Sequence, residues 1–338
     1  MLGLNKGECY GLSNYFKIGF RRSCMSESVV FARTLSEGSK HTHFKDLPVA
    51  EPAWIHFDAL QIGVEADLLG LGVTAPVVER LLASETRPRL SQMDDGLLLI
   101  LRGINLNLDQ DPVDMISLRI WVQGQLIITV RRQPLASIQE VRRQVEAGDG
   151  PKTVQGILIH ILAALADRVS RYIDGLTERV DALEDALETS VDLFALEISD
   201  LRRQIASLRR FIAPQRDALF ELSSGKTQLL SGTETDLVRD QADRFTRYVE
   251  DLELIRERAS FVQEALNHRL QDAQNKRGYL LSLVAGLFLP ATLITGIFGM
   301  NVGGLPGVDS PAGFFWVVGS MFGLSLSILL WFQMRRWW

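Results

Sequence analysis

The sequence predicts an α+β cytoplasmic domain, a small sheet flanked by helices, followed by a long stalk helix and two C-terminal transmembrane helices. Three observations predict it. Residues 279–301 (YLLSLVAGLFLPATLITGIFGMN) and 313–332 (GFFWVVGSMFGLSLSILLWF) contain no charged side chain. Runs of about twenty such residues cross a ~30 Å hydrocarbon core as helices. Between about residues 53 and 148, short strand-like and helix-like patterns are separated by turn signals. Between Gly232 and Gly278 there is no glycine or proline, and apolar residues recur every seventh position.

A chain of 338 residues with net charge −5 is long enough for one sizeable soluble domain and a membrane anchor. Cys9 and Cys24 are the two cysteines. They argue against a disulfide framework or a thiolate metal site, and they fit a reducing compartment for the body. Seven segments are expected: 1–45 a poorly ordered lead-in; 46–150 a cytoplasmic α/β domain; 151–235 a cytoplasmic helical hairpin; 236–298 a stalk helix continuing into the first span at about 279–298; 299–312 an external loop; 313–332 a second span; and 333–338 a basic cytoplasmic tail.

In the lead-in, GLSNYFKIGF beside Arg21 and Arg22 is too short and too polar for a signal-peptide core, and Met25 is an alternative start. His41 and His43 have the spacing of metal ligands on a strand, but in such a lead-in the pair reads as incidental. WIHFD (54–58) reads as a strand, and VEADLLGLG and APVVERLLAS as short helices. RPRLSQM and GLLLILRGINL flank Asp94-Asp95-Gly96 as a hairpin; ISLRIWV and LIITVRR flank Gln123-Gly124-Gln125 as a second. Pro134 ends that strand, and SIQEVRRQVEAG is a helix closed by Gly148.

Arg87, Arg89, Arg102, Arg119, Arg131 and Arg132 have two readings: a basic patch for an anion, or, as favoured, the solvent face of the strands. Asp94 and Asp95 read as turn residues rather than a carboxylate pair. No nucleotide-binding glycine loop, HExxH or GxSxG is present, so an enzyme is not expected. Gly225-Lys226-Thr227 ends like a phosphate loop but lacks the upstream glycine and the preceding strand. No nucleic-acid partner and no bound cofactor are expected.

Residues 154–222 read as helical. Carboxylates crowd 174–200, with Arg179 alone opposing them, and Arg202, Arg203, Arg209, Arg210 and Arg216 then reverse the sign. A bend near 189–193 would make an antiparallel hairpin with complementary faces. Its acidic face either is merely solvated, as favoured, or enriches divalent cations.

Further on, Phe245, Leu252, Ala259 and Leu266, with Tyr248, Ile255 and Val262 between them, form a heptad seam. A helix from Leu237 to Phe298 would be ~90 Å long. It is either a passive stalk or a rod that transmits motion. Lys276 and Arg277 before the first span, and Arg335 and Arg336 after the second, put both termini in the cytoplasm of a multi-pass inner-membrane protein; the loop between the spans has no basic residue.

Two spans cannot enclose a wet path, so any conduction requires a homo-oligomer. Asn275, Gly278, Ser282 (with Leu281), Ala285, Leu289, Thr292 and Gly296 advance by three or four and share one face. They read either as a pore lining or as a close-packing surface. Gly319-x-x-x-Gly323 in the second span reads as a packing notch against the first, and Pro290 should kink the first. The spans hold no Asp, Glu, His, Cys, Lys or Arg. A divalent cation passing them keeps much of its water. A ring of Asn301 amides would hold it by its hydration shell, and Leu289 would form a constriction that gates by dewetting.

A long helix entering a span, then Gly299-Met300-Asn301, a short loop and a final span ending in Arg335-Arg336-Trp337-Trp338, resembles the CorA family of divalent-cation transporters. GMNVGGLPG (299–307), TRPRL, LRGINLN, ISLRIWV and RYVEDLELIRERA are similar to its zinc-transporting ZntB branch; the magnesium branch usually has an acidic residue where this chain has Gly307. The resemblance covers about residues 50–338. It implies a CorA-like funnel, a homopentamer in the bilayer, a pore lined by the first span, and Gly299, Met300 and Asn301 as selectivity filter. Thr292 would be a polar pore ring, Leu289 the gate, and Asn275 the cytoplasmic end of the pore. The implied cargo is Zn2+, with Mg2+, Co2+ and Ni2+ as alternatives. In the zinc branch the resemblance also implies proton coupling, for which neither span offers an acid or a histidine. The competing readings are a membrane-tethered scaffold or sensor, and a membrane-anchored hydrolase, for which no motif speaks.

Overall fold

The computed structural model describes residues 28–35, 51–93, 96–186, 194–225, 229–300, 303–307 and 310–334. The chain divides into two compact units, Met1–Asp174 with Ala206–Leu252, and Gly175–Ile205 with Glu253–Trp338.

The first unit is built on a six-stranded sheet. Its strands are β1 (Val29–Thr34), β2 (Ala53–Asp58), β3 (Arg89–Met93), β4 (Gly96–Gly103), β5 (Ile116–Gln123) and β6 (Leu126–Arg131), in the order β1-β2-β6-β5-β4-β3. β2 and β6 are parallel; the other neighbours are antiparallel. The two hairpins are where the turn signals put them. Gly124 has φ +54, which glycine adopts without a Cβ clash. Asp94 and Asp95 lie outside the described residues.

Helices α1 (Val64–Gly70) and α2 (Ala75–Leu82) cover one face of the sheet, burying Val64, Leu68, Val77 and Leu81 against Ile55, Phe57, Leu98, Ile100 and Trp121. Helix α3 (Ala136–Ala147) and the first half of α4 (Val154–Ala186) lie against the other. There a Cβ on Gly103 would fall 2.8 Å from Leu135 and Leu165, so glycine is what lets the helices approach. Because both faces are covered, β4 and β5 read as nearly unbroken apolar runs rather than alternations. Trp54 and Thr129 bond at 2.8 Å, and His56 Nδ1 meets the same hydroxyl at 2.8 Å. Burial, with Arg131 and Arg142 nearby, holds the His56 pKa down at about 3.

Two expectations are corrected here. The lead-in expected to be poorly ordered over 1–45 contains β1, whose Phe31 packs edge-on against Trp54 at 4.8 Å. The arginines do not all turn to solvent. Arg87 and Arg89 are exposed, Arg102, Arg131 and Arg132 are half-buried, and Arg119 is fully buried. Arg119 donates to the Ala83 carbonyl at 2.7 Å, just past the end of α2, so the covering helix closes the face it was expected to leave open.

Helix α5 (Phe194–Leu222) contributes its C-terminal half to the first unit and its N-terminal half to the second. Helix α6 runs unbroken from Gly232 to Phe298, 67 residues, and continues through Pro290. All seven expected seam residues, from Phe245 to Leu266, are buried.

In the second unit the charges pair differently from the expected hairpin. The α4 carboxylates Asp181 and Glu184 both accept from Arg258 of α6, each at 2.5 Å, which raises the Arg258 pKa. Arg179 of α4 instead faces Glu197 and Asp200 of α5 at 3.9 and 3.7 Å. The expected bend at 189–193 lies outside the described residues. Among the described residues no group of three acidic, histidine or cysteine side chains is placed to hold a metal ion.

Candidate functional site

From position 267 to 278 every residue of α6 is exposed in the single chain. The helix then becomes apolar. Its final run and α7 (Gly313–Met334) are two helices long and apolar enough to cross a membrane. Large side chains such as Phe288, Leu293, Phe314 and Trp316 stand exposed along them, as lipid-facing residues do.

Asn275, Gly278, Ser282, Ala285, Leu289, Thr292 and Gly296 are all exposed. At ~100° per residue they lie roughly 140° around the helix from the partly covered stripe of Tyr279, Leu283, Leu287, Pro290 and Ile294. A Cβ added at Gly278, Gly286 or Gly296 would meet nothing within 4 Å. Close packing of these small residues is therefore not satisfied inside one chain, and their face is open to another copy. Thr292 donates its hydroxyl to the Phe288 carbonyl at 2.7 Å, and Thr295 donates to Thr292 at 2.9 Å. Back-bonded hydroxyls of this kind leave their oxygen lone pairs turned outward.

Helix α6 ends at a glycine for a local reason. Gly299 N donates to the Thr295 carbonyl at 2.8 Å. A Cβ at Gly299 would also sit 2.8 Å from that oxygen, a backbone contact that cannot yield. Met300 follows, half exposed. Asn301, the expected filter amide, lies outside the described residues. In the loop, Gly304 and Gly307 have positive φ, and the Gly307 carbonyl lies 2.5 Å from where a Gly313 Cβ would be. The loop with Phe298, Phe314, Trp316 and Val317 lines a cavity of ≈ 670 Å³.

The notch expected in the second span is open in the single chain. Gly319 and Gly323 are exposed, with nothing within 4 Å of an added Cβ. They lie opposite the partly covered stripe of Val317, Met321, Ser325 and Ile328. The notch does not receive the first span of the same chain.

The described residues form an α+β domain, a continuous helix and a final apolar helix joined through a glycine-shaped loop, with two helices long and apolar enough to cross a membrane. Residues 50–336 match the family described as CorA-like Mg2+ transporter protein. The chain is 38% identical over 297 residues to the divalent cation transporter CmaX of Pseudomonas aeruginosa, covering 86% of this chain and 89% of that one. It is 33% identical over 289 residues to the zinc transport protein ZntB of Pectobacterium atrosepticum, covering 85% and 88%. The structure of full-length CmaX matches with a TM-score of 0.81 at 33% identity, over 93% of this chain and 100% of that one. The CorA magnesium transporter from Methanocaldococcus jannaschii matches in fold, with a TM-score of 0.79 at 19% identity, over 91% and 98%.

The chain belongs to the CorA-like Mg2+ transporter family. Members are transporters, not enzymes.

Proposed function

We propose that this protein moves divalent cations, zinc first, through a central pore enclosed by one helix from each copy of a homopentamer. The face from Asn275 to Gly296 lines the pore, Leu289 is the hydrophobic gate, and Gly299-Met300-Asn301 is the outer selectivity filter. Both termini lie in the cytoplasm and the loop outside the inner membrane, following the basic residues that flank the spans. The reading is carried by one observation: an uncharged face of α6, rich in small and hydroxyl residues, is left uncovered in a helix able to span the bilayer. In a chain with two such helices, that face becomes a wall only by association.

Neutral walls set the mechanism. Stripping water from a divalent cation requires anionic oxygens, imidazoles or thiolates, and the spans have none. The cation passes hydrated, its water oriented by amide and carbonyl oxygens at the mouth. Leucine side chains at position 289 close the path by excluding water. Zinc as cargo rests on the ZntB relative and on the GMNVGGLPG loop; magnesium, cobalt or nickel is the alternative within the same family. If a pH gradient drives transport, no acidic or histidine side chain of the spans carries the proton.

The test is uptake of zinc and of magnesium by the purified protein in liposomes, with and without an imposed pH gradient. Zinc entry that is lost or loses selectivity in Asn301→Ala supports the reading. A scaffold gives no flux, and an unchanged Asn301→Ala removes the filter role.

A further inference from the structure

A second cavity, ≈ 380 Å³, lies in the first unit. Four arginines line it: Arg102 and Arg119 from the sheet, Arg132 just after β6, and Arg210 from α5. Asp114 is the one carboxylate in the lining. Ser84, Ser117, Ser207 and Gln133 add polar groups, and Val113, Met115 and Phe211 form an apolar wall.

None of the four guanidiniums makes an ion pair with a carboxylate of the described residues. Arg119 is completely buried, gives its terminal N–H groups to the carbonyls of Ala83 and Ser117, and keeps a buried Nε with no partner among the described residues. Arg102 donates to Met115 and Thr86 carbonyls at 2.6 and 2.8 Å, lies 4.2 Å over the Phe211 ring, and likewise has an orphaned Nε. Arg210 stacks on the same ring at 5.4 Å, and Arg132 donates to the Leu82 carbonyl at 3.2 Å. Carbonyl bonds explain how Arg102 and Arg119 hold the chain at 82–86. They do not balance the charge.

Burial, then repulsion from Arg132 and Arg102, holds the Arg119 pKa down at about 10; burial and Arg210 lower that of Arg102, against a smaller opposing pull from Glu85. Like charges gathered this closely, with one in low dielectric, call for an anion. A halide supplies too little charge for four guanidiniums, whereas a phosphate or diphosphate offers several oxygens to their planar forks. The volume is that of a small-molecule site, about 300–1,000 Å³.

We propose that this cavity binds a small phosphorylated anion, its phosphate oxygens received by Arg132 and Arg210, with the buried charge of Arg119 behind them and its remainder resting on Phe211. The site lies in the soluble domain, so its occupancy is a handle on the protein that is independent of the cation path.

The test uses the full-length protein in detergent with EDTA present, titrated by calorimetry with pyrophosphate, inorganic phosphate and chloride at matched ionic strength. Saturable pyrophosphate binding is expected, weakened at least about tenfold, a loss of ~1.4 kcal/mol, in Arg132→Gln/Arg210→Gln, with chloride giving none. Both substituted residues are outside the core, and an unchanged melting temperature without ligand confirms folding. Arg210→Lys keeps the charge but loses the fork, and should bind less tightly than the parent. The proposal is overturned if the parent binds no pyrophosphate at millimolar concentration, or if the double variant binds as well as the parent. Because binding is read directly, its failure is separate from any failure of transport.

Discussion

His56 shows what one buried side chain does to pH dependence. Folded, it stays neutral down to about 3; unfolded, it takes a proton below about 6.5. Its contribution is therefore complete above that value and is lost as pH falls, at about 1.4 kcal/mol per pH unit. Melting curves should show stability falling from about pH 6.5 to 5, above the carboxylate range, and the slope should flatten in His56→Leu. An unaltered slope would mean that the ring titrates in the folded state. At Gly299 the issue is steric. Gly299→Ala forces a Cβ against the Thr295 carbonyl at 2.8 Å. Cation flux should drop at least about tenfold, a loss of ~1.4 kcal/mol, while soluble-domain melting is unchanged; normal flux would show that the turn is not needed. Arg119 teaches the limit of reading residues singly. In ISLRIWV it alternates as a solvent-facing arginine would, and nothing local reveals that α2 closes over it.

At the scale of elements, period was the reliable signal. The heptad positions from Phe245 to Leu266 are all buried because a long helix hides one stripe against neighbours. Leu252→Ala should cost about 2–5 kcal/mol, whereas Leu254→Ala, at an exposed position, should stay within about 0.5 kcal/mol; chemical denaturation distinguishes them. The strand β1 went unread because VVFART is a short edge strand after an unpatterned segment, and its pairing with β2 is long-range information. Charge signs along α4 and α5 did not reveal which helix supplies the counter-charge. Arg258 joins Asp181 and Glu184 from α6, some 74 residues or more away in sequence. These groups are partly exposed, so Arg258→Ala should cost only ~1 kcal/mol, less at high salt; a loss independent of salt would argue for packing instead.

For the molecule as a whole, the two spans were legible from hydropathy, and the uncovered face of α6 from spacing. The relation of one chain to its copies was not, because no single sequence encodes which exposed stripe meets water and which meets lipid. The open notch at Gly319 and Gly323 and the open face from Asn275 to Gly296 are both unoccupied in the single chain. Transport requires that the second surround the path. The direct measurement is cysteine accessibility in liposome-reconstituted protein whose Cys9 and Cys24 are replaced by serine. Leu289→Cys or Thr292→Cys should let a water-soluble thiol reagent block zinc flux, while Leu283→Cys, on the partly covered stripe, should leave flux intact. Block at Leu283→Cys with none at Leu289→Cys or Thr292→Cys would contradict the account.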